Sequence, residues 1–517
     1  MLFTSILILI VAKALPLIKI SSIHFTRISA IILLLSGILS FNILYIQSIG
    51  SGIGIYSGLF QITNISQTIE LFLLIIGFLI LISWPIQESK YSINYSLVVL
   101  FSTLGSSLLV SSFDLISIYL SIELQSFGLY ILSTLYKNSE SSTNAGLKYF
   151  LLGGLSSCII LLGAGIIYAY TGLTQLESIY TLITSTNIDY IVQGTLFGVV
   201  LIFIGLLFKV AAAPLHNWSP DVYDETPTIV TIWLTIMPKI SVLILLLELY
   251  TQIKLNNLIG SESNLFNILI NLYENKETFD FSLILKNILL ISSIFSLIIG
   301  TVVGLAQIKI KRLLAYSTIS HIGFMLLALA ISTEQSIDSF LFYLIQYILT
   351  NLNIFLILLA ISYYFNKNKI TPIQDIRLIK NLQGLFFANP LLSLTLSISL
   401  FSMAGIPPLM GFFSKQFVLY SALDQGYYFI SLIAIIVSVI SASYYLKIIK
   451  ILHSTGTENE VIKEENKEIN TITNKSNIGQ FHSFIISSLT LFILLFILKP
   501  TIILSSTQVL SLTLFKI

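Results

Sequence analysis

The sequence predicts an all-α polytopic membrane protein of about fourteen transmembrane helices, and three observations carry that prediction. The 517 residues are 56% hydrophobic and only 10% charged, with a mean hydropathy of +0.94. Apolar runs recur along the whole chain, each near the roughly 20 residues a helix needs to cross the hydrocarbon core. Prolines interrupt two of those runs at matching places of an internal repeat. A soluble domain would carry about a quarter charged residues. An outer-membrane barrel would show short alternating segments instead of long continuous runs.

The runs lie near 2–20, 28–48, 67–85, 95–112, 114–135, 146–171, 191–213, 227–250, 284–306, 312–331, 337–364, 388–413, 426–451 and 482–504. Numbered 1 to 14, they are read as one transmembrane domain over 1–517. The first, MLFTSILILIVAKALPLI, lacks the basic start and small-residue cleavage site of a signal peptide, so it reads as a true span. Spans 1–3 form an N-terminal group within 1–90. AAAPL at 211–215 then matches GIPPL at 405–409, and QSFGLYIL at 125–132 matches SHIGFMLL at 320–327, with KYFLLGG at 148–154 facing FYLIQYI at 342–348. The common shift pairs spans 4–8 (95–250) with spans 9–13 (284–451). Five is odd, so the second block enters the membrane from the opposite side. That is an inverted repeat, with spans 7 and 12 broken at Pro214 and Pro407–Pro408. Residues 454–480 read as a solvated polar loop, 252–283 as a second insertion, and 482–504 as the last helix.

Basic residues set the orientation. One face collects Lys19, Arg27, Lys90, Lys137, Lys309, Lys311, Arg312, Lys367, Lys369, Arg377, Lys380, Lys447 and Lys450. The other has only Lys254, Lys276, Lys286, Lys499 and Lys516. The positive-inside rule makes the first the matrix or cytoplasmic side and places both termini opposite.

Several function classes are excluded. Cys158 is the only cysteine, which rules out internal disulfides and thiolate-held iron–sulfur clusters. Of the five histidines only His321 falls well inside an apolar run, which argues against a paired-histidine haem site. No nucleotide-binding glycine pattern stands between a strand and a helix, and no basic tract suggests nucleic acid.

What remains is a short set of charges far from either interface: Glu123 in span 5, Lys209 in FKVAAAPL, Lys239 in TIMPKISV, Lys415 in IPPLMGFFSK and Lys148 in GLKYFLLGG. Lys13 and Glu248 stand nearer span ends, where snorkelling suffices. A charge at the bilayer centre costs about 2.5–3.5 kcal/mol on insertion scales. Pairing Glu123 with Lys209 between spans 5 and 7 would offset that cost, either as helix-packing glue or as a working pair. Pro214 frees a carbonyl one turn back, near Lys209. Pro238 precedes Lys239, and Pro407–Pro408 lie about two turns before Lys415. Freed backbone groups in the membrane must find protein or water. A lysine in such a place can release its proton, and a carboxylate that moves can set when it does. Lys209 therefore reads as a proton-relay station gated by Glu123. His321 is either a core histidine satisfied by Ser317 or Ser320, or a member of a polar axis with Lys239 and Lys415. Lys148 is either an interfacial lysine or a further relay position.

Three stretches carry a resemblance: FKVAAAPLHNWSPDVYDETPT at 208–228, QIKIKRLLAYSTISHIGF at 307–324 and AGIPPLMGFFSKQFVLY at 404–420. They resemble the antiporter-like membrane-arm subunits of respiratory complex I, and the likeness covers nearly the whole chain outside 252–283 and 454–480. The resemblance implies a mitochondrial inner-membrane subunit that relays protons and has no redox cofactor of its own. NADH, FMN, iron–sulfur clusters and ubiquinone would belong to other subunits. It implies neighbouring membrane-arm and accessory subunits and phospholipids, cardiolipin among them. Residue by residue, Glu123, Lys209, Lys239 and Lys415 match the family's charged positions on helices 5, 7, 8 and 12, and Lys148 and His321 match polar-axis positions. The implied proton order is entry from the matrix, Lys209 gated by Glu123, transfer through Lys239 and exit near Lys415. A stand-alone cation/proton antiporter subunit is the alternative.

Overall fold

Long apolar runs become long helices because lipid leaves backbone groups no partner outside their own segment. The computed structural model describes residues 1–15, 22–46, 49, 52–83, 92–185, 189–262, 281–365, 375–454 and 479–515. In chain order its helices are α1 Leu2–Ala14, α2 Ser22–Ile46, α3 Asn64–Ile82, α4 Ser92–Ser111, α5 Leu115–Ser133, α6 Glu140–Thr171, α7 Leu176–Ser185, α8 Asp189–Val210, α9 Trp218–Glu225 and α10 Thr228–Glu262. The second half follows as α11 Phe281–Leu305, α12 Ile310–Ile331, α13 Glu334–Phe365, α14 Leu385–Ala388, α15 Pro390–Ala404, α16 Met410–Asp424, α17 Tyr428–His453, α18 Gln480–Leu495 and α19 Thr501–Phe515. A two-stranded antiparallel hairpin, β1 Ile53–Ile55 with β2 Phe60–Ile62, joins α2 to α3.

Twelve helices among the described residues are long and apolar enough to cross a membrane, and α1, α15 and α19 are shorter apolar helices. Every predicted span has its helix. The two breaks fall earlier than the apolar runs suggested. Span 7 ends at Val210, not 213, and span 12 at Ala404, not 413. The cause is local: Ala211 and Gly405 take left-handed backbone (φ 68° and 85°), which no α-helix continues. Ala211 and Gly405, Pro214 and Pro408, and the helix ends Thr171 and Phe365 all stand 194 positions apart. The repeat read from short matches is therefore the repeat of the fold: α4, α5, α6, α8–α9 and α10 against α11, α12, α13, α15–α16 and α17.

Elements outside the predicted spans are the hairpin, α7, α9, α14 and most of α16 and α19. The predicted last span, 482–504, stops as a helix at Leu495, and Pro500 opens α19, since proline cannot continue the preceding helix but starts a new one well. The insertion at 252–283 is helical to Glu262, so Glu248 lies well inside α10; residues 263–280 lie outside the described residues, as do 455–478 of the predicted polar loop.

Small residues let helices close up. A Cβ on Gly163 of α6 would come within 2.6 Å of the Gly198 carbonyl oxygen of α8, and one on Gly198 within 2.8 Å of the Gly163 oxygen. Such contacts drive helix association where lipid removes the hydrophobic incentive. The interior belongs to α10, α12 and α13, where 89, 94 and 89% of the apolar window is buried, against 33% for α2 and α6. Those three helices carry Lys239, His321 and a run of buried polar side chains.

Candidate functional site

Helix ends create the site. An α-helix leaves four carbonyls unpaired at its C-terminus, and its dipole places partial negative charge there. Both broken helices present such an end inside the bundle, and each brings an amine to it. Lys209 lies in the last turn of α8. Lys415, on α16, reaches across the break to donate to the carbonyls of Met403 (3.0 Å) and Ala404 (2.9 Å) at the end of α15. Met403 is the residue that stands 194 positions after Lys209, so the two repeats place an ammonium at equivalent helix ends by different routes. In the first repeat the capping itself falls to Trp218, whose indole N–H donates to the Phe208 carbonyl at 2.9 Å while its ring stacks on Tyr149 and Phe208. Trp218→Phe keeps the stack and strands that carbonyl. We expect it to cost about 1–3 kcal/mol, read as a lower thermal inactivation midpoint of the purified protein.

Lys239 is 2% exposed, in the middle of α10. It donates to the Tyr347 hydroxyl at 3.1 Å and lies 5.5 and 5.6 Å from the ring centres of Tyr223 and Tyr347. Cation–π attraction in a desolvated setting is worth about 2 kcal/mol, which offsets part of the burial cost. His321 is held between two tyrosines: Nδ1 is 2.7 Å from the Tyr343 hydroxyl and Nε2 is 3.3 Å from that of Tyr445. A neutral imidazole has one donor and one acceptor nitrogen, so one tyrosine gives a proton and the other receives one. Its ring lies 5.9 Å from Tyr347, and the charges of both Lys239 and Lys415 act on it. The Tyr347 hydroxyl and ring thus lie between Lys239 and His321, while the Lys415 amine meets two backbone carbonyls and lies 5.9 Å from the Phe324 ring. The partners expected for His321 are corrected: the hydroxyls of Ser317 and Ser320 turn back to the carbonyls of Leu314 and Ser317, as serines in helices commonly do.

The expected Glu123–Lys209 ion pair is not formed. Glu123 Oε1 and Lys209 Nζ are both buried and neither has a hydrogen-bond partner, although the Glu123 charge does act on Lys209. α6 packs against both α5 and α8. Lys148 goes elsewhere. Its exposed amine pairs with Asp221 of α9 at 3.0 Å.

Asp221 opens a cluster that sequence reasoning missed. Arg312 pairs with the same carboxylate, Lys309 with Asp224 at 2.6 Å, and Lys311 with Asp375 at 2.6 Å. Lys311 also donates to the Thr226 carbonyl at 2.8 Å, and Asp375 accepts from both the backbone and the hydroxyl of Thr228 at 2.9 Å. The start of α12 is thereby fastened to the segment following the first break. The acidic run in WSPDVYDE and the basic run in KIKR were the available signals. Burial alone would raise the Asp221 carboxyl, but hydrogen bonds from Arg312 and Lys148, with their charges, outweigh it and hold it below the usual range. A depressed carboxylate stabilises above its unfolded pKa and loses that contribution as pH falls through the folded one. We expect wild type to lose thermal stability below about pH 4 more steeply than Asp221→Asn.

Among the described residues no group of three or more His, Cys, Asp or Glu is arranged to hold a metal ion. What the site offers is a set of amines, an imidazole and phenols able to exchange protons.

The comparisons agree with this geometry. A family described as NADH:quinone oxidoreductase/Mrp antiporter, transmembrane, matches residues 112–275 and 268–441, one match per repeat. The chain is 47% identical to NADH-ubiquinone oxidoreductase chain 2 of Rhizopus oryzae, covering 100% of both sequences. In fold it resembles a chain of respiratory complex I from Thermus thermophilus solved with bound aureothin (24% identity, 98% and 99% of the two chains, TM-score 0.74). It also resembles one of the Mrp complex from Dietzia sp. (19%, 98% and 96%, TM-score 0.75). The chain belongs to the NADH:quinone oxidoreductase/Mrp antiporter family of transmembrane proteins.

Proposed function

We infer that this chain is a proton-translocating subunit of the membrane arm of NADH:ubiquinone oxidoreductase, a multi-pass protein of the mitochondrial inner membrane. The observation that carries this reading is the burial of Lys239, His321 and Lys415 inside the bundle, the first two set against the same Tyr347 and the third at the second helix break. A scaffold would not keep amines there, since apolar side chains would pack as well.

Glu123, Lys209, Lys239 and Lys415 are the relay groups in this reading, with His321 between the last two. Glu123, unpaired and near Lys209, sets that amine's proton affinity by its charge. Lys239 and Lys415 hold their protons against ring faces and freed carbonyls. Lys148, salt-bridged at an exposed position, serves the Asp221 cluster and stands outside the relay. The chain supplies no redox group; NADH, FMN, the iron–sulfur clusters and ubiquinone lie with other subunits. Its partners are the neighbouring membrane-arm and accessory subunits, with phospholipids such as cardiolipin at the lipid face, and both termini face the intermembrane space. The likeness to the Mrp complex keeps a stand-alone cation/proton antiporter as the second reading.

Native purification separates the two. The chain should co-migrate with a large, flavin-containing assembly that oxidises NADH. Recovery in a flavin-free antiporter assembly would replace the first reading with the second.

A further inference from the structure

Where α2, α3 and α13 meet the start of α18, they enclose a cavity of about 280 Å³. It lies at the end of the bundle that gathers the basic residues. Its polar lining suits an anion. Arg27 of α2 is exposed and makes no ion pair among the described residues. α18 begins after Gly479 with no side-chain cap, so the amides of Gln480, Phe481 and His482 lack intrahelical acceptors at the positive end of the helix dipole. Anions settle at such ends. Tyr363 of α13, 8% exposed, also lines the cavity, and its hydroxyl has no hydrogen-bond partner. A buried hydroxyl left alone is costly, and an acceptor in the cavity removes that cost. No aspartate or glutamate stands among the lining residues, so a headgroup amine finds no counter-charge there.

α2 supplies an apolar continuation. Arg27, Ile31, Leu35 and Leu39 are all exposed and stand four apart, which sets them in one stripe. At about 1.5 Å per residue the stripe descends roughly 18 Å from the charged end into the membrane. Half of the hydrocarbon core is about 15 Å. A positive head site above an apolar rail one leaflet long has the outline of a phospholipid. A free anion would use the head site and leave the rail idle.

We propose that the cavity between α2, α3, α13 and α18 binds an anionic phospholipid. Its phosphate is held by Arg27, the first-turn amides of α18 and the Tyr363 hydroxyl, and an acyl chain lies along α2. This gives a site on the chain to one of the phospholipids named above for the lipid face. It rests on the placement of the chain in a membrane and not on the proton relay, so either can fail without the other.

The test compares wild type with Arg27→Gln in the assembled complex. Delipidated samples are titrated with dioleoyl phosphatidylglycerol, dioleoyl phosphatidylcholine or glycerol phosphate, and the thermal inactivation midpoint is followed. Phosphatidylglycerol should raise the midpoint of wild type. Arg27→Gln should need about tenfold more of it, the effect of losing one charge-assisted hydrogen bond. Tyr363→Phe should shift the titration less and in the same direction. Equal titrations for wild type and Arg27→Gln would overturn the site. Equal stabilisation by phosphatidylcholine would overturn its selectivity for anionic heads, and stabilisation by glycerol phosphate alone would replace the lipid with a free anion. A density map of the wild-type complex in phosphatidylglycerol nanodiscs decides if Arg27→Gln does not assemble. Head density within hydrogen-bond distance of Arg27, continuing as chain density along Ile31 and Leu35, supports the site; protein filling the cavity overturns it.

Discussion

Lys209→Met should abolish proton translocation in a complex that still assembles, lowering the pumping rate by about a hundredfold or more, the scale expected when a positioned proton carrier is lost. Assembly should survive because methionine fills similar volume and removes a buried amine that has no hydrogen-bond partner. The measurement is proton uptake by proteoliposomes during quinone reduction. Glu123→Gln is the informative companion. It keeps the shape of the side chain and removes the one carboxylate whose charge acts on Lys209. Its pumping-versus-pH profile should move relative to wild type. A superimposable profile would mean Glu123 does not govern that amine, and undiminished pumping by Lys209→Met would leave the buried charges as helix-packing glue.

Gly411→Ala should have the largest structural effect of any single methyl in the second repeat. The added carbon would overlap the Ser402 carbonyl oxygen and stand 2.7 Å from its carbon. Both are backbone atoms, so no rotamer change relieves the clash. α16 would have to withdraw from the end of α15, taking with it the bonds from Lys415 to Met403 and Ala404 and the one from the Gly411 amide to Ser402. We expect a cost of about 4 kcal/mol or more, in the range reserved for overpacking and broken buried networks. The variant should be depleted from the assembled complex on native gels. Normal abundance would show that the second break tolerates separation.

Hydrophobic run length and proline placement made most of this architecture legible. Fourteen spans follow from the bilayer's thickness, and the pairing of Pro214 with Pro408 exposes the repeat in the sequence itself. What stayed hidden depends on packing between distant segments. The partners of His321 are Tyr343 and Tyr445, the second of them 124 positions away, and only the docking of α13 and α17 on α12 selects them over nearby serines. The Glu123–Lys209 contact looked natural from charge alone, yet both groups are left without a hydrogen-bond partner, an outcome set by how α5, α6 and α8 pack. Lys148 sits in an apolar run but at an exposed position beside Asp221. α19 was absorbed into span 14, although Pro500 marked the boundary.

The two breaks are sealed by different chemistries, and the difference has a consequence. An indole N–H offers the same charge at every stage of turnover. An ammonium does not: when Lys415 gives up its proton, the end of α15 loses the positive charge that steadies it. In the second half of the molecule, loading and capping are therefore read at one nitrogen, while in the first half they are divided between Lys209 and the Trp218 indole.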